Sequence, residues 1–600
     1  MHNRLKIRDL FYLLGLWLIN AAAFFTLSPA RHLVPHRDSG IFLYIGSQLL
    51  QGKILYLQTW DNKQPLLYAL NALGLWIGHG SIWGVLALEM VLFMIVLGLL
   101  YIILRRKLSP FQSFLLTGSV FLCVYQIMSS NFSEEYTIFF QALLLGILFL
   151  AYLPKQQNRS ARIAAWCLGA VTALAFALKQ TYIDLGIGVF LLILFLAWLN
   201  RSKQGWLDAL RFAGGFLLVN ALIFGYFLLH RALSDYIISA FLINKYYSSQ
   251  ALLEWLNSLA KAVEFITQYP LFFLAVALWL GAFALVLYHA WFRLKEVWQR
   301  FIAAKWIVLA AGLILLGAFV YSLVRKPGNT LGPVQLGVLI LGLALAALAF
   351  YGLFHKYSPA HAAMLPALRS QLSAFNWSGL DTPALLFLGL VSLPVVILAI
   401  SLSGMNFPHY YISLFTPTFL LLSAAMVQLD QIDRPTPRRA AVFFMAACLC
   451  FGSLLPIFQI KTMLLSPLGK GDKLATTASY LKAATTPQQK ILVWGWDAGV
   501  YFMADREAPT RYSFQFPLYL DTPYQAQAQK TLLQDIQADP PAYIADTQND
   551  EMPFLKGLTT QQCLAENPAG GTPLQAIRNY VCSNYVPDKS FSGIQIYRHQ

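Results

Sequence analysis

"HRDSGIFLYIGSQLLQGKILYLQTWDNKQP", residues 36–65, lies between a first apolar run and a long series of others. It sets Asp38, Asp61 and Lys63 among residues that belong beside hydrocarbon. Working outward from it, apolar runs of 18 or more residues recur along most of the chain, which is the mark of membrane-spanning helices. Composition agrees. Of 600 residues, 58% are hydrophobic and 12% charged, with a mean hydropathy of +0.57. A soluble chain of this size needs more polar surface than that. The fold class is therefore a polytopic α-helical membrane protein.

Candidate spans are 10–28, 82–104, 110–128, 136–153, 163–178, 182–199, 212–230, 270–290, 303–323, 333–354, 383–402, 410–428 and 440–459, about thirteen in all. The first follows Arg4, Lys6 and Arg8, is long for a signal-peptide core and precedes no clear small-x-small cleavage site, so it reads as an uncleaved helix with its N-terminus in the cytoplasm. The alternate connections "RRK" (105–107), "KQQNRSAR" (155–162), "NRSKQGWLDALR" (200–211), "FRLKEVWQR" (292–300) and "DRPTPRR" (433–439) are then all inner and all basic. The net charge of +16 is thus mainly a topology signal, and nucleic acid is not a partner. An odd number of spans leaves the C-terminus outside. Within the outer loop 29–81, residues 39–51 and 65–80 are apolar but short, and read as helices lying at the interface, the second opened by Pro65.

Composition changes near residue 460. Short strand patterns at 491–494, 540–550 and 591–600 alternate with helical patterns at 472–484 and 524–538. The expected division is a membrane domain, 1–459, and a small extracytoplasmic α/β domain, 460–600. Cys123, Cys167, Cys448 and Cys450 fall in spans. Cys563 and Cys582 fall in the outer domain, where a disulfide between them is expected. No internal repeat or metal-ligand spacing is present.

The three charges of the opening stretch are bracketed by two apolar interfacial helices, which hold them over the membrane surface. A carboxylate shielded there gains proton affinity and suits a general base. A lysine there suits a lipid-borne phosphate. The bland alternative is a set of solvated loop charges.

Residues 37–75 resemble the first outer loop of the C-type membrane glycosyltransferases, in the bacterial branch near the lipid A aminoarabinose transferases and the protein O-mannosyltransferases. The shared pattern is an acid after the first span, then spaced Tyr and Gly, then D-x-K-x-P: here Asp38, Tyr44, Gly46, Gly52, Tyr56, Asp61, Lys63 and Pro65. "SSNFSEEYTIFF" is similar to the family's second acidic motif, with Glu134 the matching carboxylate and Glu135 its neighbour. "HYYISLFTP" is similar to a late outer segment, giving His409, Tyr410 and Pro417. Ser39 and Glu135 stand where many relatives have an acid and a proline.

The resemblance implies transfer of a sugar from a polyprenyl-phosphate-linked donor to an envelope acceptor, whether lipid, glycan or protein, at the outer face of a bacterial inner membrane. Asp38 would be the base and Lys63 would stabilise the departing phosphate. Asp61 would orient Lys63 or bind sugar, and Glu134 would support the base or bind acceptor. Tyr44, Tyr56, Glu135, Lys179, His409 and Tyr410 would contact substrate. No cofactor is called for, and a divalent cation is left open. Plainer readings stand beside these. Glu134 and Glu135 would cap a helix, His409 and Tyr410 would anchor at the interface, and Lys179 would snorkel. Asp184 would pair with Lys179, Glu89 would face the bundle interior, and Arg506 and Arg511 would lie on the surface. The rival function is a transporter or flippase, which predicts ionisable residues near the bilayer midplane.

Overall fold

The computed structural model describes residues 6–32, 34–155, 158–247, 252–298, 382–402, 405–431, 435–466, 472–554 and 573–600. Among these, eight helices are long and apolar enough to cross a membrane. A ninth span is present if Asn257–Thr267 and Pro270–Ala284, bent by 115°, form one broken crossing. The protein is a multi-pass helical membrane protein, with fewer such helices among the described residues than the expected thirteen. Pro110–Tyr125 has only 16 residues. Arg159–Phe176 opens with Arg159 and Arg162, so its apolar length is shorter than the helix. The spans expected at 303–323 and 333–354 lie outside the described residues.

Helices α1 (Ile7–Thr26), α2 (Arg37–Leu50), α3 (Pro65–Ile77), α4 (Ile82–Leu104), α5 (Pro110–Tyr125) and α6 (Ser133–Gly146) follow in order. The two short apolar runs of the opening loop are thus α2 and α3. Pro65 starts α3 where its missing N–H costs nothing. At the opposite end of the bundle, Asp9 and Arg105 are both buried and paired at 2.6 Å, with the Tyr101 hydroxyl donating to Asp9 at 2.7 Å. That pairing makes two buried charges tolerable between α1 and α4.

Residues 472–554 and 573–600 contribute a four-stranded sheet, β1 (Ile491–Trp494), β2 (Tyr543–Asp546), β3 (Tyr585–Phe591) and β4 (Ile594–His599), in the order β1-β2-β4-β3. β1 and β2 are parallel, with Ile491 opposite Tyr543. β4 runs antiparallel to β2 and to β3. Helices Lys473–Ala484, Gln525–Ala538 and Pro573–Asn584 flank the sheet. β1 is buried on both faces, as its unbroken apolar run requires. Cys582 is disulfide-bonded, and its expected partner Cys563 lies outside the described residues.

This C-terminal unit is seated on the opening loop. The Tyr44 ring stacks on Tyr501 at 4.9 Å and its hydroxyl accepts from the Ala508 N–H at 2.9 Å. Lys53 pairs with Glu507 at 2.6 Å, and the Trp60 N–H donates to the Arg511 carbonyl at 2.9 Å. Arg511 in turn reaches Asp235 at 2.7 Å. Arg506 is not the surface residue expected. It is 6% exposed, and its guanidinium donates to Thr485 and to the carbonyls of Lys482, Ala504 and Asp505.

At the centre of the seat, α2 meets the helix Gly499–Ala504 backbone to backbone. A Cβ on Gly40 would lie 2.8 Å from the Gly499 Cα. Gly40→Val is therefore expected to cost about 1–3 kcal/mol by overpacking. It should lower the apparent melting temperature of the detergent-solubilised protein, whereas Gly225→Val, on a helix where a Cβ meets open space, should not.

Candidate active site

The opening loop returns on itself through backbone contacts that fix its charged side chains. Tyr56 takes the left-handed conformation (φ 67°), its N–H donates to the Thr59 carbonyl at 2.6 Å, and its hydroxyl donates to the Lys63 carbonyl at 2.6 Å. The Asn62 amide donates to Asn244 Oδ1 at 3.0 Å, while Asn244 donates back to the Asn62 carbonyl at 2.8 Å. Tyr236 donates to Gln64 at 2.9 Å. Asp61 accepts from the N–H of Asn62 at 2.6 Å. The D-x-K turn is thus fastened to the segment that carries Tyr236 and Asn244.

From this turn the Lys63 ammonium reaches between two carboxylates, 4.0 Å from Asp38 Oδ2 and 3.9 Å from Asp61 Oδ2, and lies 4.9 Å over the Phe42 ring. Asp61 is 1% exposed and Asp38 16%. A second ion pair stands nearby. Lys179 reaches Glu134 Oε1 at 3.1 Å and lies 3.9 Å over the Tyr410 ring. Glu134 also accepts from its neighbour Ser133 at 3.0 Å. His409 stacks flat on Phe132 at 4.3 Å, joining the late segment 408–414 to the start of α6.

These groups line one cavity of about 370 Å³, the size of a small-molecule site. Arg37, Asp38, Asp61, Asn62 and Lys63 come from the opening loop. Glu134, Lys179, Gln180, His409 and Tyr410 come from the ends of three apolar helices, and Trp496, Phe514 and Phe516 from the C-terminal unit. Val396, Ala399 and Ile400, from the helix Thr382–Leu402, make an apolar wall.

Seven of the ten sequence-predicted site residues line this cavity, and three do not. Tyr44 is spent on seating the C-terminal unit, and Tyr56 on holding the turn. Glu135 is the helix cap, accepting from the N–H groups of Ser129 (2.9 Å), Ser130 (3.2 Å) and Phe132 (3.1 Å). Lys179 does not snorkel, since Glu134 pairs with it. Asp184 consequently does not pair with Lys179. It accepts from Gln141 at 2.9 Å and from the N–H of Leu185 at 2.6 Å. Glu89 is buried as expected, accepting from Ser130 and the Asn131 N–H. Arg37 and the three aromatic residues of the C-terminal unit went unremarked in the sequence, where a Gly-Trp-Asp turn after a strand reads as an ordinary connection.

The electrostatics correct one expectation. Burial pushes the Asp38 carboxyl up, but Lys63, His409, Arg37 and His36 outweigh it and hold the group below its ordinary value. It is Asp61 that is raised, because burial there exceeds the pull of Lys63. Among the described residues no group of three or more His, Cys, Asp or Glu is placed to hold a metal ion. The position between the Asp38 and Asp61 carboxylates is taken by an ammonium.

No protein-family model matches the chain, and no curated protein matches it in sequence. Among solved structures it is similar to the archaeal oligosaccharyltransferase AglB from Archaeoglobus fulgidus, in complex with an inhibitory peptide and a dolichol-phosphate. That match has 13% identity, covers 99% of this chain and 75% of that one, and has a TM-score of 0.43. It is also similar to ArnT from Cupriavidus metallidurans in the apo state, at 12% identity, over 98% and 97% of the two chains, with a TM-score of 0.45. The same ArnT bound to undecaprenyl phosphate matches at 13% identity, over 98% and 97%, with a TM-score of 0.43.

Because the folded Asp38 carboxyl lies below its ordinary value, its stabilising contribution is in place at neutral pH and is lost only as pH falls through that lowered value. Removing the cation that lowers it most, in Lys63→Met, should move the carboxyl up. Infrared titration of the carboxylate band, with Asp38→Asn as the reference for assignment, should show Asp38 protonating at higher pH in Lys63→Met than in wild type. An unchanged midpoint would mean that Lys63 does not govern Asp38.

Proposed function

We propose that this protein is a membrane glycosyltransferase that moves a sugar from a polyprenyl-phosphate-linked donor to an envelope acceptor at the outer face of a bacterial inner membrane. In this reading the N-terminus is cytoplasmic and residues 472–600 lie outside, over the site. One observation carries the proposal. An ammonium lies about 4 Å from each of two carboxylates in the wall of a cavity that also has a second lysine and an apolar side. That set matches a substrate with a phosphate at one end of a hydrocarbon tail. The ordered resemblance of residues 37–75 supports the same class.

The chemistry follows from these groups. Asp38 accepts the proton of an acceptor hydroxyl as that oxygen bonds to the anomeric carbon. The bond from that carbon to the phosphate oxygen breaks, and its electron pair leaves with the phosphate. Attack from the face opposite the leaving group inverts the anomeric centre. Lys63 and Lys179 neutralise the departing charge in surroundings of low dielectric, where such neutralisation is worth most. A phosphate leaving group neutralised in this way needs no general acid, in contrast to the paired carboxylates of glycosidases. Glu134 holds Lys179 in place and Asp61 holds Lys63. The ammonium thus takes the place a divalent cation would have, and no step is routed through a metal.

Asp38 is a weak base while only cations offset its burial. A bound phosphate offsets those cations and raises the carboxylate's affinity for a proton. Donor binding therefore prepares the base.

The test is transfer by protein reconstituted in liposomes with an extract of native polyprenyl-linked sugars and native envelope acceptors. Asp38→Asn, folded as judged by its melting curve, should lose about 10²–10⁴-fold in rate, the usual worth of a general base. Transfer by Asp38→Asn at the wild-type rate would remove Asp38 from the mechanism. Uptake of a lipid-linked sugar across the bilayer without any transfer would favour a transporter.

A further inference from the structure

Arg37 is a cavity cation that the mechanism has not used, and the one of these that touches Asp38. It opens α2, one residue before Asp38, and its Nε lies 3.5 Å from Asp38 Oδ1, on the oxygen that Lys63 does not approach. Its guanidinium sits 4.7 Å over the Trp496 ring. That ring is fixed in turn. Its Nε1 donates to Glu551 at 2.7 Å, and Phe514 and Phe516 pack on it at 5.4 and 5.1 Å. The turn that presents Trp496 depends on Gly495, at φ 127°, where a Cβ would strike Thr547 Oγ1 at 2.1 Å. Asp38 is the only hydrogen-bond partner of Arg37 among the described residues. The two terminal NH₂ groups are therefore uncommitted, on a side chain that lines the cavity. A planar fork held over an aromatic ring is pre-organised to receive a pair of oxygens.

The direction of attack says which substrate meets it. In an inverting displacement the attacking oxygen and the leaving phosphate lie on opposite faces of the anomeric carbon. The base touches the attacking oxygen, and Arg37 pairs with the base alone, whereas Lys63 is shared with Asp61, so Arg37 belongs to the acceptor half of the site. Lys179 pairs with Glu134 instead, which suits the phosphate half. We infer that Arg37, positioned by Trp496 of the C-terminal unit, is the acceptor-binding residue, and that it takes an acceptor presenting two neighbouring oxygens beside the hydroxyl that is glycosylated. This rests on the glycosyltransferase reading above. It makes the C-terminal unit part of the acceptor site.

The experiment measures partition in the reconstituted system, comparing sugar joined to acceptor with sugar released to water from the same donor extract. Arg37→Lys keeps the charge but loses the fork and the ring contact. The fraction of cleaved donor reaching acceptor should fall about tenfold, the usual worth of a charged hydrogen-bond pair. Trp496→Phe, which preserves packing at the seat, should shift partition the same way. The double variant should be no worse than Arg37→Lys alone, because Trp496 acts through Arg37. Affinity for undecaprenyl phosphate, the donor-side probe, should not follow these changes.

If Arg37→Lys weakens undecaprenyl phosphate binding and leaves partition at the wild-type ratio, Arg37 belongs to the donor half and the inference is overturned. It is equally overturned if Trp496→Phe lowers only the melting temperature. A wild-type protein that neither transfers nor hydrolyses any lipid-linked sugar would sink the enzyme reading itself, and the acceptor site with it.

Discussion

An ammonium between two carboxylates, Lys63 between Asp38 and Asp61, is the interaction on which the site depends. Ionised groups at the ends of apolar helices are costly unless each finds an opposite charge. Two carboxylates alone would repel, and one would take up a proton. With Lys63 between them they coexist, and the lysine is aimed without being buried. The second pair, Lys179 with Glu134, repeats the arrangement at the N-terminal end of α6. The result is a cavity whose charges are fixed by pairing, and a phosphate entering beside the lysines would favour proton uptake by Asp38.

Holding that triad requires more than the opening loop. The turn carrying Asp61 and Lys63 is fastened to Asn244 and Tyr236 on one side and, through Trp60, to the Arg511 carbonyl of the C-terminal unit on the other. The unit is seated by the Gly40–Gly499 contact, the Tyr44–Tyr501 stack and the Lys53–Glu507 pair. Small residues at the centre permit the close approach, and the polar contacts around it fix the orientation. The unit thereby brings Trp496, Phe514 and Phe516 to the cavity.

Much of this was legible in the sequence, for physical reasons. Hydropathy reports burial in lipid directly, so the membrane class and most helix positions follow from apolar run length. Pro65 gave the α3 start. Asp38, Asp61 and Lys63 were visible because charges beside apolar runs need an explanation. What sequence spacing cannot supply is which partner each charge takes. Asp184 and Lys179 are five residues apart, yet Lys179 takes Glu134, from another helix, because only the folded bundle brings those groups together. Glu134 and Glu135 are adjacent and differ by a rotation of about 100° about the helix axis. One faces the cavity and the other closes the helix end. Tyr44 and Tyr56 matched a pattern whose constraint here is structural, and Arg37 and Trp496 become informative only once they are stacked.

The central claim is that the cavity receives a lipid-borne phosphate on Lys63 and Lys179. The most direct measurement is the affinity of the purified protein for undecaprenyl phosphate against undecaprenol, which carries the same tail without the charge. The account predicts that the phosphate form binds at least about tenfold more tightly, as expected for charge-assisted contacts, and that Lys63→Met and Lys179→Met each remove most of that difference. Equal affinity for the two lipids, or a preference that survives loss of both lysines, would contradict it.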